Sequence, residues 1–199
     1  FKNTGVESES FWSEKYQQQT TPWDLDRPHP ELDTTLAQLK LNKMRVLVPG
    51  CGSGHDAAFL AEKGNVVTAI DFSPTAIEQA QKKYGDRPNL TFLEGDVFNL
   101  DDSHTGAYDL VFEHTCYCAI DPSQRSMLIK QWKRFLDETG HLLGIFFAVP
   151  KRTGPYFGGS EWELREKLKK DFQFYYWTRL RHSPDWRRGA ELLIYGRKN

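Results

Sequence analysis

Val46-Leu-Val-Pro-Gly50-Cys-Gly52-Ser-Gly54 runs from an apolar stretch into a glycine-rich turn. Glycines at such a turn let backbone N–H groups approach a ligand without interference from Cβ. Asp71 lies twenty-one residues after Gly50, at the end of the next apolar run. At that distance an acid can meet the hydroxyls of a bound ribose. The same carboxylate could instead cap a helix, because Ser73-Pro74 follows directly. Gly95-Asp96-Val97 is a third element, where an aspartate can accept from an exocyclic amine while the valine packs on a ring; its alternative is a plain turn. The glycine spacing separates two ligand classes. A dinucleotide fingerprint, G-x-G-x-x-G, needs its third glycine where His55 stands. With G-x-G-x-G in its place and no obvious Tyr-x-x-x-Lys pair, a nicotinamide oxidoreductase is disfavoured.

The elements that must hold these residues alternate strand and helix. Residues 45–49, 66–70, 90–93, 108–112 and 141–149 read as strands, and 172–181 and 191–197 bring the number to seven. Helices are expected over 55–63, from Ser73-Pro74 to about Tyr84, from an Asp121-Pro122 cap to a stop at Gly140, and over 161–169. In the third of these, Leu128, Trp132 and Phe135 share one face. The alternation predicts an α/β domain with a mostly parallel sheet, whose turns after each strand lie at the ligand-binding edge. Residues 1–44 fall outside the pattern and read as an arm and lid on a domain spanning 45–199. There Trp12 and Tyr16 share a helix face, Thr21-Pro-Trp-Asp24 and Arg27-Pro-His-Pro30 are stiff, and Leu32, Leu36 and Leu39 return to helical spacing.

Composition narrows the function. The 199 residues carry 26 Lys+Arg against 27 Asp+Glu, so a bulk nucleic-acid binder is disfavoured. Cys51, Cys116 and Cys118 form neither a disulfide framework nor a CxxC zinc pattern, so no metal and a reducing, cytoplasmic setting are expected. The longest apolar stretch, residues 142–149, is too short for a membrane span, and no signal-peptide pattern opens the sequence. A monomer is the expected state. The unusual feature is aromatic: 14% Phe, Trp and Tyr, with six Trp, in a chain of mean hydropathy −0.63.

VPGCGSGHD, with TPWD upstream and CAIDPSQR downstream, resembles the thiopurine, thiol and halide methyltransferase family of S-adenosyl-L-methionine (SAM)-dependent enzymes, over about residues 11–199. The G-x-G-x-G turn is common to many methyltransferases, whereas Val48-Pro49 before it is narrower. The resemblance implies a three-layer, Rossmann-like class I methyltransferase fold with an N-terminal helical lid, SAM as cofactor and a small-molecule acceptor. In the family, an N-terminal W-x-x-x-W pair and the TPWD segment contact the cofactor. Trp12 and Trp23 match those positions, and Tyr16 replaces the second Trp. The resemblance and the motifs together assign cofactor contacts to Gly50, Cys51, Gly52, Gly54, Asp71, Phe72, Asp96 and Val97. Glu113 joins them, standing where the family usually has Asp. Cys116-Tyr117 replaces a family Phe-Phe at the substrate edge.

A sulfonium-borne methyl group attacked by a soft nucleophile such as a thiol, a thiopurine-like sulfur or a halide needs little help from a protein base. Aromatic faces suit the cationic sulfonium, which gives the N-terminal rings a reason to fold over the site. The acceptor pocket is expected to draw on His114, Tyr117, Arg125 and Tyr156. Tyr117 could equally be core. Arg125 could orient an anionic acceptor or pair with a nearby carboxylate. The segment Gly154-Pro-Tyr-Phe-Gly158 resembles a family loop bordering that pocket. Cys116 and Cys118 read as buried small hydrophobes, and Arg179, Arg181, Arg187 and Arg188 as a solvated basic face. Other readings are an O-, N- or C-methyltransferase of another small metabolite and a non-catalytic SAM-binding protein. No Asn-Pro-Pro-Tyr segment of the amino-methylating enzymes is present; Glu113-His-Thr-Cys116 occupies that place.

Overall fold

The structure, a computed structural model, describes residues 8–149 and 156–199. Among these residues seven strands form one sheet: β1 (Arg45–Pro49), β2 (Val66–Asp71), β3 (Leu90–Glu94), β4 (Tyr108–His114), β5 (Leu136–Phe147), β6 (Phe172–Arg179) and β7 (Glu191–Lys198). Their spatial order is β3-β2-β1-β4-β5-β7-β6. The first five are parallel, while β7 pairs antiparallel with β5 and β6 antiparallel with β7. The sheet is therefore mixed, with its parallel part as expected. From β1 the chain builds outward to β2 and β3, then returns to place β4 on the other side. The crevice between β1 and β4 is the topological switch point where such sheets bind ligands.

Among the described residues the helices are α1 (Glu9–Gln17), α2 (Leu32–Leu39), α3 (His55–Glu62), α4 (Pro74–Tyr84), α5 (Cys116–Ala119), α6 (Arg125–Phe135) and α7 (Glu161–Leu168). The period-2 alternation of β1 divides the core. Val46 and Val48 face α2, α3 and α4 through Leu36, Leu60 and Ile77, and Leu47 faces α6 and α7 through Leu128, Trp132 and Leu164. Ser73 caps α4 by accepting from the Ala76 N–H at 3.2 Å, with Pro74 in the first turn. Ser8 and Ser160 cap α1 and α7 in the same way. No helix among the described residues is long and apolar enough to cross a membrane.

Two helix boundaries differ from those expected. Asp121 turns the chain instead of capping a helix. Its Oδ1 accepts from the Ser123 N–H at 2.8 Å and from the Ser123 hydroxyl, and α6 starts later, at Arg125. Nor does Gly140 end α6. The helix stops at Phe135, where Leu136 turns extended (ψ 139°) and pairs with Tyr108, and residues 137–140 bulge out before His141 pairs with Leu110. Asp137 and Asp109 then share the Arg45 guanidinium across that bulge.

Trp132 is fully buried between α6 and the sheet, against Tyr117 and Phe146. Its indole N–H finds no partner among the described residues. Truncation to Ala opens a cavity and lowers stability by about 3–5 kcal/mol, whereas Trp132→Phe loses less than half of that because it keeps a ring and removes an unpaired donor. Urea denaturation of both variants checks the order, and equal losses would contradict it.

Candidate active site

A cavity of about 290 Å³ opens at the carboxyl edge of β1, β2 and β4. Its floor is the glycine turn. Gly50 and Gly52 have φ of +62° and +52°, a region that L side chains rarely adopt. A Cβ on Gly50 would lie 2.9 Å from Cys116, and one on Gly52 would lie 2.6 Å from the Tyr16 hydroxyl. The turn is thus a close-packed cradle that only glycine allows. Gly54 differs from the role expected of it. It does not line the cavity, and a Cβ there would meet the Phe92 ring at 2.8 Å, so it is a packing glycine at the start of α3.

Asp71 lines the cavity with both carboxylate oxygens on backbone, and the cap of α4 that was its alternative role falls to Ser73. One oxygen accepts from the Gly52 N–H at 2.8 Å and fixes the turn; the other accepts from the Ser73 N–H at 2.9 Å before α4. Burial raises its pKa, against the pull of these backbone bonds. Phe72, Asp96 and Val97 line the same wall, with Asp96 held by the Phe98 N–H and the Asn99 amide. The roof is aromatic. Trp12 meets Trp23 edge-to-face at 5.4 Å between centroids, and the Trp23 indole donates to the Tyr16 hydroxyl at 3.2 Å. Asp24 latches this roof to the start of α3 through His55 Nε2 at 3.2 Å and the Ser53 hydroxyl. Burial opposes ionisation of Asp24, but those hydrogen bonds outweigh it and hold its pKa at about 2.

The acceptor-side residues separate into two groups. His114 and Tyr156 line the cavity, joined by Thr115, Cys116, Cys118 and Ile120. Gly154 and Pro155 of the loop expected there lie outside the described residues. Tyr117 and Arg125 do not reach the cavity. Arg125 is fully buried, bonded to Glu163 at 3.0 Å and to the Gly158 carbonyl at 2.9 Å, and it stacks on the Tyr117 ring. Tyr117 also donates to Glu163, so both are absorbed by an ion pair of the core. Glu113, expected among the cofactor contacts, does not line the cavity either. Its buried carboxylate accepts from the Cys116 and Tyr117 N–H groups and caps α5 from beneath.

Arg187, expected on a solvated face, is 1% exposed. It donates to the Trp23 carbonyl, to His114 Nε2 at 3.0 Å and to Glu191 at 3.1 Å. A guanidinium only donates, so Nε2 of His114 accepts and Nδ1 carries the proton toward Asp56, 2.6 Å away. Glu191 also takes the Nε2 proton of His29 at 2.9 Å, since His29 Nδ1 already accepts from the Glu31 N–H. Burial works against the Glu191 charge, but the His29 contacts prevail and lower its pKa to about 2. Asp24, Arg27, His55 and Asp56 line the cavity without a role assigned from sequence, and Arg187 braces it from behind. Asp24 falls in TPWD, Arg27 in Arg27-Pro-His-Pro30, and His55 and Asp56 in VPGCGSGHD, but no motif marked Arg187.

Burial raises the Glu113 pKa from 4.5 to about 7, against its two backbone bonds. The folded chain therefore keeps a proton that the unfolded chain loses near pH 4.5. The group contributes no penalty below that pH, and stability declines as pH rises to about 7, by on the order of 3 kcal/mol. Relative to Glu113→Gln, the wild-type chain should lose about that much stability between pH 5 and pH 8 in urea denaturation. A stability difference independent of pH would contradict this.

The sequence profile described as Thiopurine S-methyltransferase matches residues 7–186. A probable thiol methyltransferase 2 of Arabidopsis thaliana is 32% identical over 154 residues, 75% of this chain and 67% of that protein. Thiocyanate methyltransferase 1 of the same plant is 31% identical over 153 residues, 74% and 66% of the two chains. The chain thus spans about two thirds of the length of these relatives. The fold is shared with a 1,6-didemethyltoxoflavin-N1-methyltransferase from Burkholderia thailandensis solved with S-adenosylhomocysteine. That structure gives a TM-score of 0.76 at 23% identity and covers 96% of this chain and 87% of its own. On sequence and fold alike, the chain belongs to the thiopurine S-methyltransferase family of SAM-dependent methyltransferases.

Proposed function

We propose that this chain transfers the methyl group of SAM to a small soft nucleophile, a thiol, thiopurine-like sulfur or halide. The cavity fits the cofactor on its own terms. Gly50 and Gly52 form a cradle that any Cβ would fill, and Asp71 and Asp96 stand at the ends of β2 and β3, where a nucleoside would need acceptors. Trp12, Tyr16 and Trp23 line the cavity with aromatic rings, the partners a sulfonium cation favours. When bound, SAM supplies a methyl group already activated by its sulfonium.

The acceptor class rests on one observation: neither histidine of the cavity has a free nitrogen. His114 is held by Asp56 and Arg187, and His55 by Asp24 and by the Tyr84 hydroxyl at 2.7 Å. A hard alcohol or amine acceptor would need a base to remove its proton, whereas a thiolate or halide needs none. The protein's own contribution is alignment and exclusion of water beneath the aromatic roof. Cys51, Cys116 and Cys118 line the cavity as neutral thiols, because burial raises the pKa of all three, Cys118 to about 12.

Incubation with SAM and iodide, bromide, thiocyanate, small thiols or a thiopurine tests this reading, with methylated products followed by headspace gas chromatography or mass spectrometry. At least one soft acceptor should be methylated faster than any alcohol or amine of similar size; methylation of oxygen or nitrogen alone would overturn the assignment. Trp12→Ala and Trp23→Ala should each weaken SAM binding by roughly 3- to 30-fold, the range of a cation–π contact, without loss of the folded state. Calorimetric titration measures it, and unchanged affinity in both variants would remove the rings from the site.

A further inference from the structure

Acids surround the cavity, and Arg27 is the one Lys or Arg among its described lining residues. The acids are already engaged. Asp24 is held by His55 and Ser53, Asp56 by His114 and the His29 N–H, Asp71 by Gly52 and Ser73, Asp96 by Phe98 and Asn99, and Asp121 by Ser123. Arg27 is exposed and makes no hydrogen bond, ion pair or ring contact with any described residue. Its charge is therefore free for an incoming group.

The backbone that carries Arg27 is fixed on both sides. Before it, the Trp23 carbonyl accepts from Arg187. After it, Pro28 stiffens the chain, and His29 is pinned by Glu191 at 2.9 Å and through its N–H by Asp56 at 2.8 Å. The His29 ring also packs edge-to-face on the His114 ring at 5.1 Å. This short tether is thereby held against His114 at the end of β4 and Glu191 at the start of β7. A guanidinium is planar and more weakly hydrated than an ammonium, which suits large polarisable anions. With both cavity histidines committed to protein partners, an acceptor must bring its negative charge with it.

We propose that Arg27 determines acceptor choice, attracting and orienting acceptors that arrive as small soft anions: halide, thiocyanate, hydrosulfide or thiolate. It takes the role that Arg125 cannot fill from within its Glu163 pair. This inference rests on the soft-acceptor reading above and narrows it to the anionic members of that class.

Kinetics with iodide and thiocyanate, in the wild-type protein, Arg27→Gln and Arg27→Lys, test it. Arg27→Gln should lower kcat/KM for both anions about 10-fold, chiefly through KM and with a weaker response to added inert salt. Arg27→Lys should recover to within about 3-fold of wild type, because it restores charge without the planar fork. S-adenosylhomocysteine should bind all three proteins alike by calorimetry. A readout independent of turnover is tryptophan quenching in the S-adenosylhomocysteine complex: iodide should quench Arg27→Gln less than wild type, while neutral acrylamide quenches both equally. Wild-type kcat/KM in Arg27→Gln, or a parallel fall in S-adenosylhomocysteine affinity, would overturn the inference and leave the soft-acceptor reading intact. A wild-type protein that methylates no soft acceptor would overturn that reading, and equal iodide quenching would then overturn the role of Arg27 as well.

Discussion

One buried guanidinium fastens the roof of the cavity to its wall. Arg187 reaches the backbone of Trp23 in the N-terminal segment, the ring of His114 at the end of β4 and the carboxylate of Glu191 at the start of β7. With 1% exposure it is out of water, and such a charge is tolerable only when its partners surround it. Each partner passes the constraint on. Trp23 donates to Tyr16, which closes over Gly52. His114 donates to Asp56, which holds the His29 N–H, and Glu191 holds the His29 ring. The antiparallel end of the sheet makes this possible. Because β7 runs opposite to β5, with Glu191 beside Phe147, the start of β7 and the preceding turn that carries Arg187 reach the same edge as the end of β4. The mixed sheet is thus tied directly to the closing of the site.

The two halves of the cavity differ in chemistry. Toward β2 and β3, carboxylates and glycine N–H groups suit the hydroxyls and amine of a nucleoside. Toward β4 and α5, the lining is His114, neutral thiols and aliphatic carbon, with Thr115 held at a φ of +67° where the strand breaks into α5. A left-handed φ on a β-branched residue costs about 1–2 kcal/mol. That strain lies at the turn which brings Cys116 and Cys118 to the cavity. Glu113, fully buried beneath α5, holds the same turn by two backbone bonds.

Much of the fold and of the cavity lining along β1, β2 and β3 was legible in the sequence because its signals are local. A G-x-G-x-G turn after an apolar run, an acid at the end of the next strand and Ser73-Pro74 each depend on neighbours a few residues away. The residues misread are those whose partners are distant in the chain. Arg125 and Glu163 are 38 residues apart, and Arg187 lies 164 from Trp23. No periodicity announces such pairs, so Arg125 could be taken for an acceptor ligand and Arg187 for a solvated charge. Glu113 was carried over from a family position, but its carboxylate turns back on the N–H groups of α5. Gly54 belongs to the glycine motif by spacing and to helix packing by contact with Phe92. Of the six tryptophans, Trp132 fills the core as its helix periodicity required, Trp12 and Trp23 form the roof, Trp177 is half-buried with its indole donating to Glu161, and Trp162 and Trp186 are exposed.

The fastening of residues 23–29 by Arg187 is tested most directly by hydrogen–deuterium exchange. The comparison is between wild type and the paired variant Arg187→Met/Glu191→Gln, which leaves no charge buried alone, each with S-adenosylhomocysteine present. Exchange across 23–31 should be faster in the variant and S-adenosylhomocysteine binding weaker, while the amides of β1, β2 and β3 keep their protection. Unchanged exchange across 23–31, or a loss of protection spread evenly over the sheet, would contradict this fastening.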